Sequence, residues 1–223
     1  MPGHASDVHI AYTVRRSERA RRVRVTVDAQ RGVEVVLPAR AREREAAAAV
    51  AELRPWIERR LHEASAVRER VRARAGTVPY LGTVLELVPE QGRTRVHRRG
   101  DVLHVPAGDP APALERWFRR EARAELEPRV AQARAALGRP GGELSIRNQR
   151  TRWGSCSSSG ALSFNWRLLL APEPVLDYVV WHEACHLVVM DHSPRFWALL
   201  ERHRPSYREQ RRWLRAHGAT LVL

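Results

Sequence analysis

Lysine is absent from this 223-residue chain: all 39 basic residues are arginine, set against 25 acidic ones, and the formal net charge is +14. With abundant alanine and proline, uniform arginine looks like a GC-rich coding bias. The charge is spread along the chain, so a solvated surface is the first reading and an acidic partner such as nucleic acid the second. Cysteine is scarce too. Cys156 and Cys185 cannot by themselves build a disulfide framework or a thiolate zinc site. No apolar run reaches the roughly 18 residues a membrane span needs. No charged-then-apolar leader precedes the first strand pattern, so the expected location is the cytoplasm. Methionine occurs only at Met1 and Met190, which later decides between two kinds of metal site.

What is present alternates between strand and helix patterns. Residues 8–37 read as strands: His9–Val14, Val23–Asp28 with strict alternation, a turn at Gln30-Arg31-Gly32, and Val33–Leu37 ended by Pro38. That is a hairpin or meander with one polar face. From Ala39 to about Ala75 the period becomes helical, with Val50, Leu53, Trp56, Ile57 and Leu61 on one stripe and Pro55 predicting a break. Short strands return between Val78 and Pro106. A second amphipathic helix covers Ala113–Leu137, with Pro128 as an expected boundary. The organisation expected is α+β: an N-terminal β-rich and helical lobe over 1–137, and a smaller chemistry-bearing lobe over 138–223.

The chemistry lies in Tyr178–His192, which reads Y-V-V-W-H-E-A-C-H-L-V-V-M-D-H. His182 and His186 are four apart, so on a helix both face the same metal ion. Glu183 sits where its carboxylate can reach a metal-activated water without binding the metal. The neighbours Val179, Val180, Ala184, Leu187 and Val188 are apolar, and buried histidines and a glutamate need a partner. A single zinc ion supplies one. The ligand helix is expected from about Glu173 to Met190, with Pro172 and Pro174 suited to its first turn. Ser193-Pro194 then opens a new helix, leaving His192 in the elbow as third ligand, with Glu201 and Glu209 as competitors. The His186-to-His192 spacing equals that of the metzincins. However, Val189 stands at their turn glycine and no methionine follows Met190, so this is not a metzincin.

Upstream, Glu143–Arg147 and Ala161–Trp166 read as strands around the turn-rich Cys156–Gly160. This hairpin either binds an extended substrate through main-chain hydrogen bonds or only supports the helix. Three groups are candidates for steadying a developing oxyanion: Tyr207, His203 and Arg152, each of which has a plain packing or surface role as its alternative. Cys185 reads as a packing thiol. Cys156 reads as a small buried residue, with a metal-facing or redox role as the alternative.

Laid out in this way, the chain resembles the YgjP-like zinc metallopeptidases, relatives in architecture of the SprT-like proteases. The resemblance is carried by T-R-W-G-S-C-S at Thr151–Ser157, L-S-F-N-W-R-L at Leu162–Leu168, Y-V-V-W-H-E-A-C-H, D-H-S-P-R-F-W at Asp191–Trp197 and P-S-Y at Pro205–Tyr207. It implies a minimal zincin-like catalytic lobe in which His182, His186 and His192 bind zinc and Glu183 is catalytic. Cys185 and Asp191 depart from the family's usual alanine and asparagine, and neither departure removes a ligand or the base. The expected activity is zinc-dependent hydrolysis of peptide bonds in a peptide or protein substrate. The alternative is a nucleic-acid-associated protein. That could be a protease acting near DNA, as SprT-like proteases do, or a non-catalytic zinc-stabilised module. Glu183 argues against the last, because a structural zinc site needs no general base.

Overall fold

A computed structural model describes residues 10–28, 32–149 and 151–223. The content is mixed α and β, with six α-helices and three small sheets among the described residues. The chain divides into two compact units, 1–73 and 74–223.

The first unit holds strands β1 (Tyr12–Ser17), β2 (Arg24–Asp28) and β3 (Gly32–Pro38) in the order β1-β3-β2. β1 runs parallel to β3, and β2 runs antiparallel to it. β2 and β3 thus make the expected antiparallel hairpin, but β1 joins the far side of β3 and not β2, so the three strands are not a meander. The central place goes to the most apolar strand: Val33, Val35, Val36 and Leu37 of β3 are buried, whereas Arg24 and Thr26 of β2 face water. His9 and most of the expected Gln30-Arg31-Gly32 turn lie outside the described residues. Helices α1 (Arg44–Glu52) and α2 (Arg54–Arg72) follow, broken at Leu53 with Pro55 in the first turn of α2. Proline is harmless there because the amide it lacks would have no helical partner. Ala46, Val50 and Ile57 close a small core with Val25, Val33, Val35 and Leu37.

The second unit begins with β4 (Thr77–Tyr80), β5 (Thr83–Glu90), β6 (His97–Arg99) and β7 (Val102–Pro106), ordered β4-β5-β7-β6. Helix α3 (Ala111–Ala136) continues straight through Pro128. The expected boundary fails because buried Leu126 on one side and Val130 and Ala133 on the other hold both halves against the same core. That core also explains where the units divide. Phe118 of α3 packs 5.7 Å from Trp166 and 6.3 Å from Tyr80, so a division at 137/138 would cut through one continuous apolar cluster.

The third sheet, β8 (Leu144–Arg147), β9 (Gly154–Cys156) and β10 (Leu162–Asn165), has the order β8-β10-β9, which leaves β9 on an edge. A 3-10 turn over Trp166–Leu170 leads to α4 (Glu173–Cys185), then α5 (Pro194–His203) and α6 (Tyr207–His217). Arg129 of α3 holds α4 through Asp177 at 3.2 Å and Glu173 at 2.5 Å, and Arg204 reaches the same Asp177 at 3.4 Å. No helix among the described residues is long and apolar enough to cross a membrane.

Candidate metal centre

Helix α4 is apolar on nearly every side, which is why it is buried and why its polar residues stand out. Val175, Leu176, Val179, Val180, Trp181, Ala184 and Cys185 are all in the core. The helix stops at Cys185 rather than running to Met190, with His186 as its last half-turn residue. The reason is local. The Nδ1 of His186 donates to the Val189 carbonyl at 3.1 Å, and the amides of Val188 and Val189 both turn back to the Cys185 carbonyl at 3.0 and 2.9 Å. Asp191 then accepts from the Ser193 amide at 3.0 Å, and α5 starts at Pro194. This double bend swings His192 back over α4.

The ligand-capable nitrogens of His182, His186 and His192 lie within 4.8 Å of one another. The Nε2 atoms of His182 and His192 face each other at 3.0 Å. A carbonyl can only accept, so the His186 contact to Val189 puts the proton on Nδ1 and leaves the Nε2 lone pair free. Burial pushes the His182 imidazole down to about 3, reinforced by His186, His192 and Arg211. Burial also lowers His186. Two imidazoles kept neutral by burial, with a third whose Nε2 faces one of them, are a donor set a zinc ion takes. Phe196 forms the floor, fully buried, with its ring 4.9, 4.4 and 4.8 Å from those of His182, His186 and His192. Neither competing glutamate joins the cluster: Glu201 pairs with Arg208, and Glu209 is exposed on α6.

Glu183 is 7 % exposed, and burial lifts its carboxyl to about 7 against the pull of Arg152. It lies directly against β9, where a β-carbon on Gly154 would meet the Glu183 Cγ at 2.5 Å and Oε1 at 2.8 Å. The three groups proposed from sequence to steady an oxyanion fall in different places. Arg152 is exposed and its charge acts on Glu183. Tyr207 is buried and stacked on Trp197 at 5.5 Å, and His203 is stacked on Trp181 at 4.4 Å. Cys156 sits close enough to Glu183 for the carboxylate to raise its thiol, although burial is the larger cause. Cys185 is fully buried, and burial alone pushes it up to about 12.

Sequence reasoning missed several residues of the site. Tyr178, one turn before His182 on α4, brings its ring 5.8 Å from that imidazole; its spacing of four from the first histidine was the available signal. Trp197 donates from Nε1 to the His192 carbonyl at 2.9 Å and stacks on the His192 ring at 5.5 Å. Arg211 lies over Trp197 at 4.6 Å. Trp197 closes the D-H-S-P-R-F-W motif without its role being visible there, and nothing local in the sequence marks Arg211.

Compared with known proteins, the chain matches the family model described as "YgjP-like, metallopeptidase domain" over residues 21–217. No curated protein and no solved structure matches it.

Proposed function

The chain belongs to the YgjP-like metallopeptidase family, and from that premise we propose that it is a zinc-dependent peptidase using Glu183 as general base. The observation that carries this reading is the convergence of His182, His186 and His192 beside a buried glutamate that adjoins an edge strand. These histidines would hold one zinc ion, which when bound acidifies a water and polarises a carbonyl. Glu183 accepts the proton of the attacking water and returns it to the leaving amine. Its burial supports this: a carboxyl lifted toward neutrality both takes and gives a proton near pH 7. The free edge of β9 offers main-chain hydrogen bonds to an extended peptide, and the missing side chain at Gly154 keeps that edge close to Glu183. Of the candidate oxyanion groups, Arg152 is favoured, because its charge already acts on Glu183.

The test is a pair of variants. Purified protein holds about one zinc per chain, and Glu183→Gln keeps the metal while losing proteolysis of a broad peptide library. Full activity in Glu183→Gln would remove the general-base assignment. Metal retained by His192→Ala would remove the third ligand.

One feature of the first unit supports a second, compatible reading as a protein that works near nucleic acid. Arg19, Arg21, Arg22 and Arg24 line a surface groove of about 570 Å³ along the connection from β1 to β2, and all four are exposed. Oligonucleotide affinity should then fall steeply as salt rises. Absent or salt-insensitive binding would dismiss this role.

A further inference from the structure

The arginines of the second unit fall into two groups. Some are neutralised: Arg208 by Glu201, Arg204 by Asp177, Arg119 by Glu115, and Arg129 by three carboxylates. Arg211 is not. It is half-buried on α6, and among the described residues no carboxylate comes within ion-pair distance of it. Its guanidinium instead lies over the Trp197 ring at 4.6 Å. Trp197 is itself fixed from two sides, by its bond to the His192 carbonyl and by Tyr207 stacked at 5.5 Å with planes 16° apart. Tyr207 and Arg211 are one turn apart on α6, so the helix presents both to the same tryptophan. The result is a cation held one aromatic ring away from the third histidine.

A partly desolvated guanidinium without an internal counter-ion is an unfavourable arrangement unless something outside supplies the anion. We propose that Arg211 anchors a carboxylate of the substrate, so that the cleft prefers peptides with an acidic side chain close to the bond that is cut. The inference rests on the peptidase reading and adds a substrate class to it. Two further cations lie nearby. Arg215 is exposed one turn further along α6 from Arg211, and Arg152 is exposed two residues before Gly154, which adjoins Glu183. A site with several cations about it concentrates acidic peptide and repels basic peptide. Arginine suits the role because its planar fork binds a carboxylate through two parallel hydrogen bonds while its face rests on the indole.

The experiment uses the full-length protein and matched peptides that differ only by Glu, Gln or Lys near the cleavage site. Binding is read by fluorescence anisotropy on the zinc-loaded Glu183→Gln protein, and cleavage on the zinc-loaded protein with Glu183 intact. The Glu peptide should bind roughly tenfold more tightly than the Gln peptide, the worth of one charge-assisted hydrogen bond. Adding Arg211→Gln abolishes that difference, Arg211→Lys keeps part of it, and Arg211→Glu turns the preference toward the Lys peptide. Arg208→Gln, on the same helix but already paired, leaves it unchanged. Equal binding of all three peptides, or a preference that survives Arg211→Gln in folded, zinc-loaded protein, overturns the proposal. So does Arg211-dependent binding of a single-stranded oligonucleotide with none of the acidic peptide. If the acidic peptides bind through Arg211 but no peptide is cut, the anchor stands and the peptidase reading falls. If peptides are cut without regard to charge, the reverse holds.

Discussion

Gly154 and Glu183 touch so closely that no side chain fits between them. A β-carbon built on Gly154 would meet Glu183 at Cγ (2.5 Å), Oε1 (2.8 Å) and Cδ (2.9 Å). The backbone of Gly154 is ordinary strand, so the demand is for space and not for a left-handed conformation. The edge strand and the Glu183 carboxylate are therefore set against each other by an absence. Gly154→Ala must move either β9 or Glu183, and the carboxylate is the softer of the two. Activity should drop at least about a hundredfold, the scale of a misplaced catalytic group. Zinc content should hold, because the three histidines are oriented by one another, by Val189 and by Phe196 and make no hydrogen bond to this strand. Metal analysis and peptide turnover on one preparation check both halves. Undiminished turnover would show that Glu183 does not need its present position.

Asn165 makes the other demand on this sheet. It is 2 % exposed, and its Nδ2 donates to the Gln149 carbonyl at 2.6 Å and the Arg152 carbonyl at 3.3 Å. Its Oδ1 accepts from the Arg167 amide at 3.1 Å, and its own amide donates to the Trp153 carbonyl at 2.8 Å. One side chain thus ties the segment carrying Arg152 to β10 and caps the 3-10 turn below it. Asn165→Ala leaves two carbonyls and an amide without this partner and should lower stability by about 1–3 kcal/mol in urea unfolding. Turnover should fall further than that loss explains, since Arg152 is released beside Glu183. A variant as stable as its parent would mean that the segment finds other partners.

How far the sequence alone led can be traced through these residues. The helix carrying His182, Glu183 and His186 was legible because an unbroken apolar run made two histidines and a glutamate conspicuous, and the elbow after it led to His192, which lies beside them. The end of that helix was not legible. Leu187, Val188 and Val189 continue the apolar pattern, and only the His186 bond to the Val189 carbonyl shows why the chain turns away. Strand existence was readable from alternation, whereas the parallel pairing of β1 with β3 depends on which strand is most deeply buried, a competition between distant segments. Pro128 looked like a boundary because local rules forbid it mid-helix, and the core on either side overrides them. Gly154 and Trp197 lie inside the motifs that carry the family resemblance, but what they touch is not written there: Gly154 matters through Glu183, far along the chain, and Trp197 through the folded-back His192 and through Arg211, which no motif marks.

Trp197 gives a direct test of how the third histidine is held. Its Nε1 donates to the main-chain carbonyl of His192 at 2.9 Å, fixing the elbow from which that imidazole reaches His182. Trp197→Phe keeps an aromatic ring for His192 and Tyr207 but deletes this donor. Zinc affinity, measured by competition with a fluorescent chelator, should fall roughly tenfold, at the low end for loss of a group that orients a ligand. Circular dichroism should be unchanged. If affinity is unaltered, backbone geometry alone orients His192.

Removing the metal with a chelator turns the same site into a pH-dependent load on the fold. Burial holds the His182 imidazole at about 3 and the Glu183 carboxyl at about 7, and the two displacements act in opposite directions. Below about pH 6.5 the unfolded chain takes up a proton on His182 that the folded chain refuses, so this group erodes stability as pH falls toward 3. Glu183 does the reverse. Between about pH 7 and 4.5 the folded chain takes up a proton that the unfolded chain does not yet hold, and stability recovers as pH falls. From these two groups the metal-free protein should be nearly indifferent to pH between 6.5 and 4.5 and should weaken only below that. Glu183→Gln carries no buried charge to relieve. It should be more stable than its parent above pH 7 and lose that advantage at about 1.4 kcal/mol per pH unit as pH falls through the window. The two should become equal near pH 4.5, where the parent carboxyl is protonated in both states. Urea unfolding of both proteins from pH 8 to pH 4 reads the difference directly, with all other carboxylates cancelling. A gap that stays constant across that range would mean that Glu183 titrates like an ordinary exposed glutamate and is not held as a base poised near neutrality.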